Sequence, residues 1–128
     1  IDFEVVSERQ PSDAELADLR YAWLVCKHVK SNAITLIKDG VLVGMGAGQP
    51  NRVESARLAV QGADDFSVGA VLASDAFFPF PDSIEVAGDA GVTAVVHPGG
   101  SIRDEDSIAT ANSLGMAMVT AGVRHFRH

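Results

Sequence analysis

The sequence predicts an α/β layered domain, a mainly parallel sheet flanked by helices, and three observations carry that prediction. Apolar runs alternate with segments of helical periodicity along most of the chain. The strand candidates at 33–37 (AITLI) and 41–45 (VLVGM) are apolar on both faces, as expected of a sheet covered by helices. The 128 residues, 47% of them hydrophobic, fit one domain that buries about two-thirds of the surface its unfolded chain would expose.

Each element follows in order. Residues 3–6 (FEVV) form a short strand. Pro11-Ser12-Asp13-Ala14-Glu15 opens a helix, and the Ser12–Glu15 spacing is that of a capping box. Leu16, Leu19, Trp23, Cys26 and Val29 recur at intervals of three and four, so one stripe of this helix is buried and Cys26 is a core residue. Asp39-Gly40 joins the next two strands as a hairpin and adds at least one antiparallel pair. Gly44–Asn51 is a glycine-rich loop before a helix over 52–62, and 68–76 is a strand. A loop with two prolines covers 77–83, a short helix 83–90, and a strand 92–97. The turn Pro98-Gly99-Gly100-Ser101 feeds a helix over 102–114, and 116–120 is the last strand.

Composition narrows the function. Ten basic against seventeen acidic residues give a net charge of −7, which argues against a nucleic-acid partner and against an anionic membrane. No apolar run approaches the roughly 20 residues of a membrane span. The lone Cys26 excludes an internal disulfide and a multi-cysteine zinc site. The expectation is a soluble, cytoplasmic domain. The chain begins on Ile1 without Met or signal-peptide pattern, so a processed or truncated chain is expected.

Ligand sites in open α/β sheets gather where strands end, so loops 46–51, 75–83 and 97–101 are the suspects. The glycine-rich loop can favour an anion at the following helix start, or can simply be a tight turn. Arg52 opposes the dipole of that helix and needs an anion or a partner carboxylate. The loop 74–82 (SDAFFPFPD) sets three phenylalanines beside two carboxylates, fit to wall a flat heterocycle or to plug the domain. The Pro-Gly-Gly-Ser turn offers a second helix start with bare N–H groups. His97 reads as a hydrogen-bonded structural residue in preference to a base. Arg124, His125, Arg127 and His128 form a cationic end that is a solvated tail or an anion site.

Five motifs together resemble one family. KSNAI (30–34), GMGAGQPNRV (44–53), SDAFFPFPDS (74–83), HPGGSIRDED (97–106) and GVRHFRH (122–128) are similar, in order and spacing, to the C-terminal part of AICAR transformylase. That activity belongs to the bifunctional purine biosynthesis protein, which also carries IMP cyclohydrolase. The resemblance covers essentially residues 1–128. It implies a cytidine-deaminase-like subdomain without zinc, in a homodimer that moves a formyl group from 10-formyltetrahydrofolate to the 5-amino group of AICAR.

By the same resemblance, Asn32 contacts AICAR near the reacting amine and is the catalytic candidate. Arg52, Phe77 and Arg124 complete the AICAR set, and Val53, Asp82, Ser101 and Ile102 lie on the folate side. Some members hold potassium near the positions of Ser31 and Asp75. Two departures stand out. Pro81-Asp82-Ser83 replaces an Arg-Asp-Asn or Arg-Asp-Gly continuation, removing a cation beside the folate acid. The family's catalytic Lys-His pair has no counterpart, since Lys27-His28 falls on helix surface outside its motif. The chain is therefore expected to supply binding residues and to be inactive alone. The other readings are a free-standing nucleotide- or phosphate-binding module and a dimerisation half.

Overall fold

The computed structural model describes residues 2–78 and 81–122. Its elements are β1 (Glu4–Val5), α1 (Asp13–Cys26), β2 (Ile34–Lys38), β3 (Val41–Gly46), α2 (Arg52–Ala63), β4 (Val71–Ser74), α3 (Asp82–Asp89), β5 (Ala94–His97), α4 (Asp104–Ser113) and β6 (Ala117–Thr120). A single 3-10 turn, Asp64–Ser67, links α2 to β4.

The strands form one sheet in the order β1-β6-β5-β4-β2-β3. It is mixed, as the 39–40 hairpin implies, but it is not mainly parallel as expected. Only β4–β5 and β5–β6 are parallel, while β1–β6, β2–β3 and β2–β4 are antiparallel. The cause is the way the hairpin joins. β2 sits between β3 and β4, so it runs against both neighbours, and α2 carries the chain from the outer strand β3 back over β2 into β4.

Period-2 alternation divides the sheet between two cores. Leu36, Leu72, Val95 and Met118 face α2, α3 and α4 with Ala56, Ala59, Ile84 and Ala111. Ile37, Val71, Ala73, Ala94, Val96 and Val119 face α1, whose Leu19, Ala22, Trp23 and Cys26 are buried. The sequence stripe on α1 is thus the buried one. Cys26 is held in the core, where burial, and secondarily Asp75, push its thiol up to about 12. The capping box is present, with Ser12 Oγ accepting the Glu15 N–H and Glu15 accepting the Ser12 N–H. α1 ends at Cys26, so Lys27 caps it and the exposed His28 lies just beyond the helix.

Two sequence expectations shift at β3. The strand lies at the sheet edge, and Val41, Leu42 and Met45 remain exposed, so it is not covered on both faces. Gly44 and Gly46 belong to this strand and not to a loop. A side chain at either would overlap the backbone of α2, at Ala59 O and Ser55 O respectively. Close helix–strand approach is therefore the reason for these glycines, and no bound anion is needed to explain them. At the hairpin tip, Asp39 (φ 51°) and Gly40 (φ 76°) take the left-handed conformation that a two-residue turn demands. Asp18 on α1 accepts both of their N–H groups.

Candidate functional site

The sheet directions bring the suspected loops together. β3, β4, β5 and β6 all finish at one end of the sheet, where β2 begins, as the pairs Ile34–Gly46, Ile34–Ser74 and His97–Thr120 show. The segments 30–33, 47–52, 75–78, 81–82 and 98–103 therefore share this end.

At its centre is Arg52, the first residue of α2. Its Nη2 donates to Asn32 Oδ1 at 2.5 Å and its Nη1 to the Phe77 carbonyl at 3.3 Å. Asp75 stands 3.6 Å from the guanidinium, with both side chains largely enclosed. The carboxylate partner demanded by an arginine at a helix start is thus present, yet Arg52 Nε is buried with no partner among the described residues. Asn32 is fixed on three sides. Its Nδ2 donates to Gln49 O at 2.9 Å, its carbonyl accepts the Ser55 hydroxyl at 2.6 Å, and its Oδ1 faces Arg52. Asp75 accepts the Ala33 N–H at 3.1 Å and the Ser31 hydroxyl. Asn32, Arg52 and Phe77, predicted as one AICAR-binding set, do form one cluster, and Arg124 lies outside the described residues.

The folate-side candidates occupy the starts of the following elements. Val53 is the second residue of α2 and half-buried. Asp82 opens α3, exposed, with Oδ1 accepting the Ser83 N–H at 3.0 Å. Ser101 and Ile102 precede α4, and Ile102 is fully exposed.

The Pro-Gly-Gly-Ser turn corrects an expectation. Its N–H groups are not bare, because the Asp104 carboxylate accepts from Gly100 at 2.9 Å and from Ser101 at 3.2 Å. The chain's own acid fills the place an anion would take. The Ser101-x-x-Asp104 spacing is the sequence signal that could have revealed it. Gln49, Ser55 and the anchoring role of Asp75 were also missed; Ser55 alone left a trace, one helical turn after Arg52.

A groove of about 510 Å³ lies at the opposite end of the sheet, lined in part by Arg9, Glu15, Thr93 and Gly115. Its charged groups are consumed internally. Arg9 makes a two-pronged bond to Glu15, at 2.8 Å for each prong, and also donates to the carbonyls of Gly115 and Thr93. That pairing holds the Glu15 carboxyl down at about 2.

The fold is a three-layer α/β domain, a mixed sheet with helices on both faces. Solved structures similar in fold include a dCMP deaminase from the cyanophage S-TIM5, at TM-score 0.58 and 17% identity over 88% of this chain and 99% of that one. RibD from Acinetobacter baumannii is similar at TM-score 0.57 and 17% identity, over 84% of this chain and 35% of that one. Sequence comparison goes further: residues 1–62 match the AICARFT/IMPCHase bienzyme family. The chain is 59% identical over 98% of its length to the bifunctional purine biosynthesis protein PurH of Nostoc punctiforme, and 60% identical over 97% to that of Anoxybacillus flavithermus. It spans about a quarter of those relatives, 24% of each. The chain belongs to the AICARFT/IMPCHase bienzyme family, as a part of the full protein.

Proposed function

We propose that this chain is the C-terminal subdomain of a cytoplasmic, homodimeric AICAR transformylase, and that it supplies the binding wall for formyl transfer. The observation that carries the reading is the Asn32–Arg52–Phe77 cluster, an enclosed cation whose Nε finds no partner among the described residues, where four strands finish. Such a group suits an anionic or carbonyl-bearing ligand.

In the proposed reaction the 5-amino nitrogen of AICAR attacks the formyl carbon of 10-formyltetrahydrofolate. The bond from that carbon to N10 breaks, one amine proton leaves, and N10 takes up a proton. The products are FAICAR and tetrahydrofolate. The amine is conjugated and bonded to its neighbouring carboxamide, so it needs a base, and the formyl oxygen needs a stabiliser as charge develops. The carboxylate nearest Asn32, Asp75, is engaged by Arg52, the Ser31 hydroxyl and the Ala33 N–H, and we assign this work to a Lys-His pair elsewhere in the full polypeptide. Asn32, held on three sides, orients the amine, Arg52 and Arg124 hold AICAR, and Phe77 walls its ring. Val53, Asp82, Ser101 and Ile102 form the folate side, with Asp82 pairing with pterin N–H groups. The proposed chemistry gives no role to a potassium ion at Ser31 and Asp75.

The test is formyl transfer by the full polypeptide containing this chain. Arg52→Ala should lower kcat/KM about 100-fold with little change in melting temperature. A wild-type polypeptide that transfers no formyl group, or an Arg52→Ala variant as active as wild type, would overturn the reading.

A further inference from the structure

His97 ends β5 at the site end of the sheet, and none of the roles above uses it. Its side chain is wholly buried. Nδ1 accepts the Gly99 N–H at 3.0 Å, which places the ring proton on Nε2. Nε2 has no partner among the described residues. The ring meets Phe78 in a T-shaped contact, with centroids 5.2 Å apart and planes at 61°. Burial lowers the imidazole to about 4 against a smaller opposing pull from Asp104, so the Nδ1 acceptor is intact at neutral pH.

This ring bridges the two halves of the site. Phe78 follows Phe77, whose carbonyl accepts from Arg52. Gly99 precedes Gly100 and Ser101, whose N–H groups Asp104 holds. One side chain thus touches both the loop after β4 and the turn after β5. A general base needs a free lone pair that substrate can reach, and here the single lone pair is spent on Gly99 in a buried place.

We propose that His97 is a positioning residue for the folate: its Nδ1 fixes the 98–102 turn, and so sets where Ser101 and Ile102 stand relative to the Asn32–Arg52 cluster. The inference rests on the formyl-transfer reading. Three variants of the full polypeptide test it. His97→Asn keeps an acceptor near the Nδ1 position, His97→Phe keeps the ring without it, and His97→Gln carries its polar atoms out toward the Nε2 position. The Phe and Gln variants should raise the KM for 10-formyltetrahydrofolate about tenfold and leave the KM for AICAR within about twofold, while Asn stays within about threefold of wild type on both. The Gln variant stands in should the Phe variant not fold. An unchanged folate KM, equal shifts for both substrates, or an Asn variant no better than Gln would overturn the proposal. If the wild type transfers no formyl group, the functional reading fails separately. Calorimetric binding of 10-formyltetrahydrofolate to the same proteins then decides His97: the same ranking upholds it, and no ranking, or no binding by wild type, overturns it.

Discussion

Arg9 and Arg52 each lie beside a carboxylate at opposite ends of one sheet, and they are bonded in opposite ways. Arg9 is closed: Glu15 takes two of its N–H groups, and the carbonyls of Thr93 and Gly115 take others. Arg52 is open, with a 3.6 Å separation from Asp75 and a buried Nε that finds no described partner. The first arrangement locks the chain before β5 and β6 onto α1. The second leaves an N–H without a partner among the described residues. An unpaired buried donor costs about 1–3 kcal/mol, a cost that the proposed ligand would repay. A groove beside a closed arginine is weaker evidence for a site than a tight cluster around an open one.

The comparison breaks most readily by exchanging the losses. Arg52→Ala is expected to remove activity and spare stability. Arg9→Ala should do the reverse, costing about 2–3 kcal/mol in denaturant unfolding because Glu15 and two carbonyls lose their donor, with kcat/KM unchanged. If Arg9→Ala instead abolishes turnover in folded protein, the distinction between the two ends fails.

A smaller effect sharpens the same contrast at the 98–101 turn. Asp104→Ala should cost about 1–2 kcal/mol by removing the carboxylate that accepts the Gly100 and Ser101 N–H groups. It should also open the turn to anions, so sulfate would raise the melting temperature of the variant more than that of wild type. Equal responses to sulfate would mean that Asp104 does not occupy an anion position.

The smallest effect is acid sensitivity, which divides between the two ends. The Glu15 carboxyl lies at about 2 when folded against 4.5 ordinarily, so its stabilisation is present above 4.5 and lost as pH falls toward 2. His97 is lowered from 6.5 to about 4, so the unfolded chain binds the extra proton first and stability declines as pH falls from 6.5 to 4. Urea unfolding against pH should show both limbs. Glu15→Gln should remove the lower limb and His97→Asn the upper, and a profile unchanged by either would show the assignment to be mistaken.

Local signals carried most of the fold. The Ser12–Glu15 box, the α1 stripe and the Asp39-Gly40 turn each act within a few residues, and each is where the sequence puts it. Sheet direction was misjudged because strand pairing is non-local: nothing inside residues 34–38 says that β2 runs against β4. The glycines of 44–46 were misread for the same reason, since the partner that requires them, the backbone of α2, is reached only after folding.

The site divides along the same line. The sequence by itself determined the family through its five motifs, and named Asn32, Arg52 and Phe77 as candidates, because residue type and spacing are chemical facts of the chain. Only the tertiary structure decided that Asp104 holds the turn before α4, that Arg9 is spent, that Arg52 keeps an N–H without a partner among the described residues, and that His97 joins two loops. A hydrogen bond satisfied or left open depends on where distant segments stop in space, and no one-dimensional pattern records that distance.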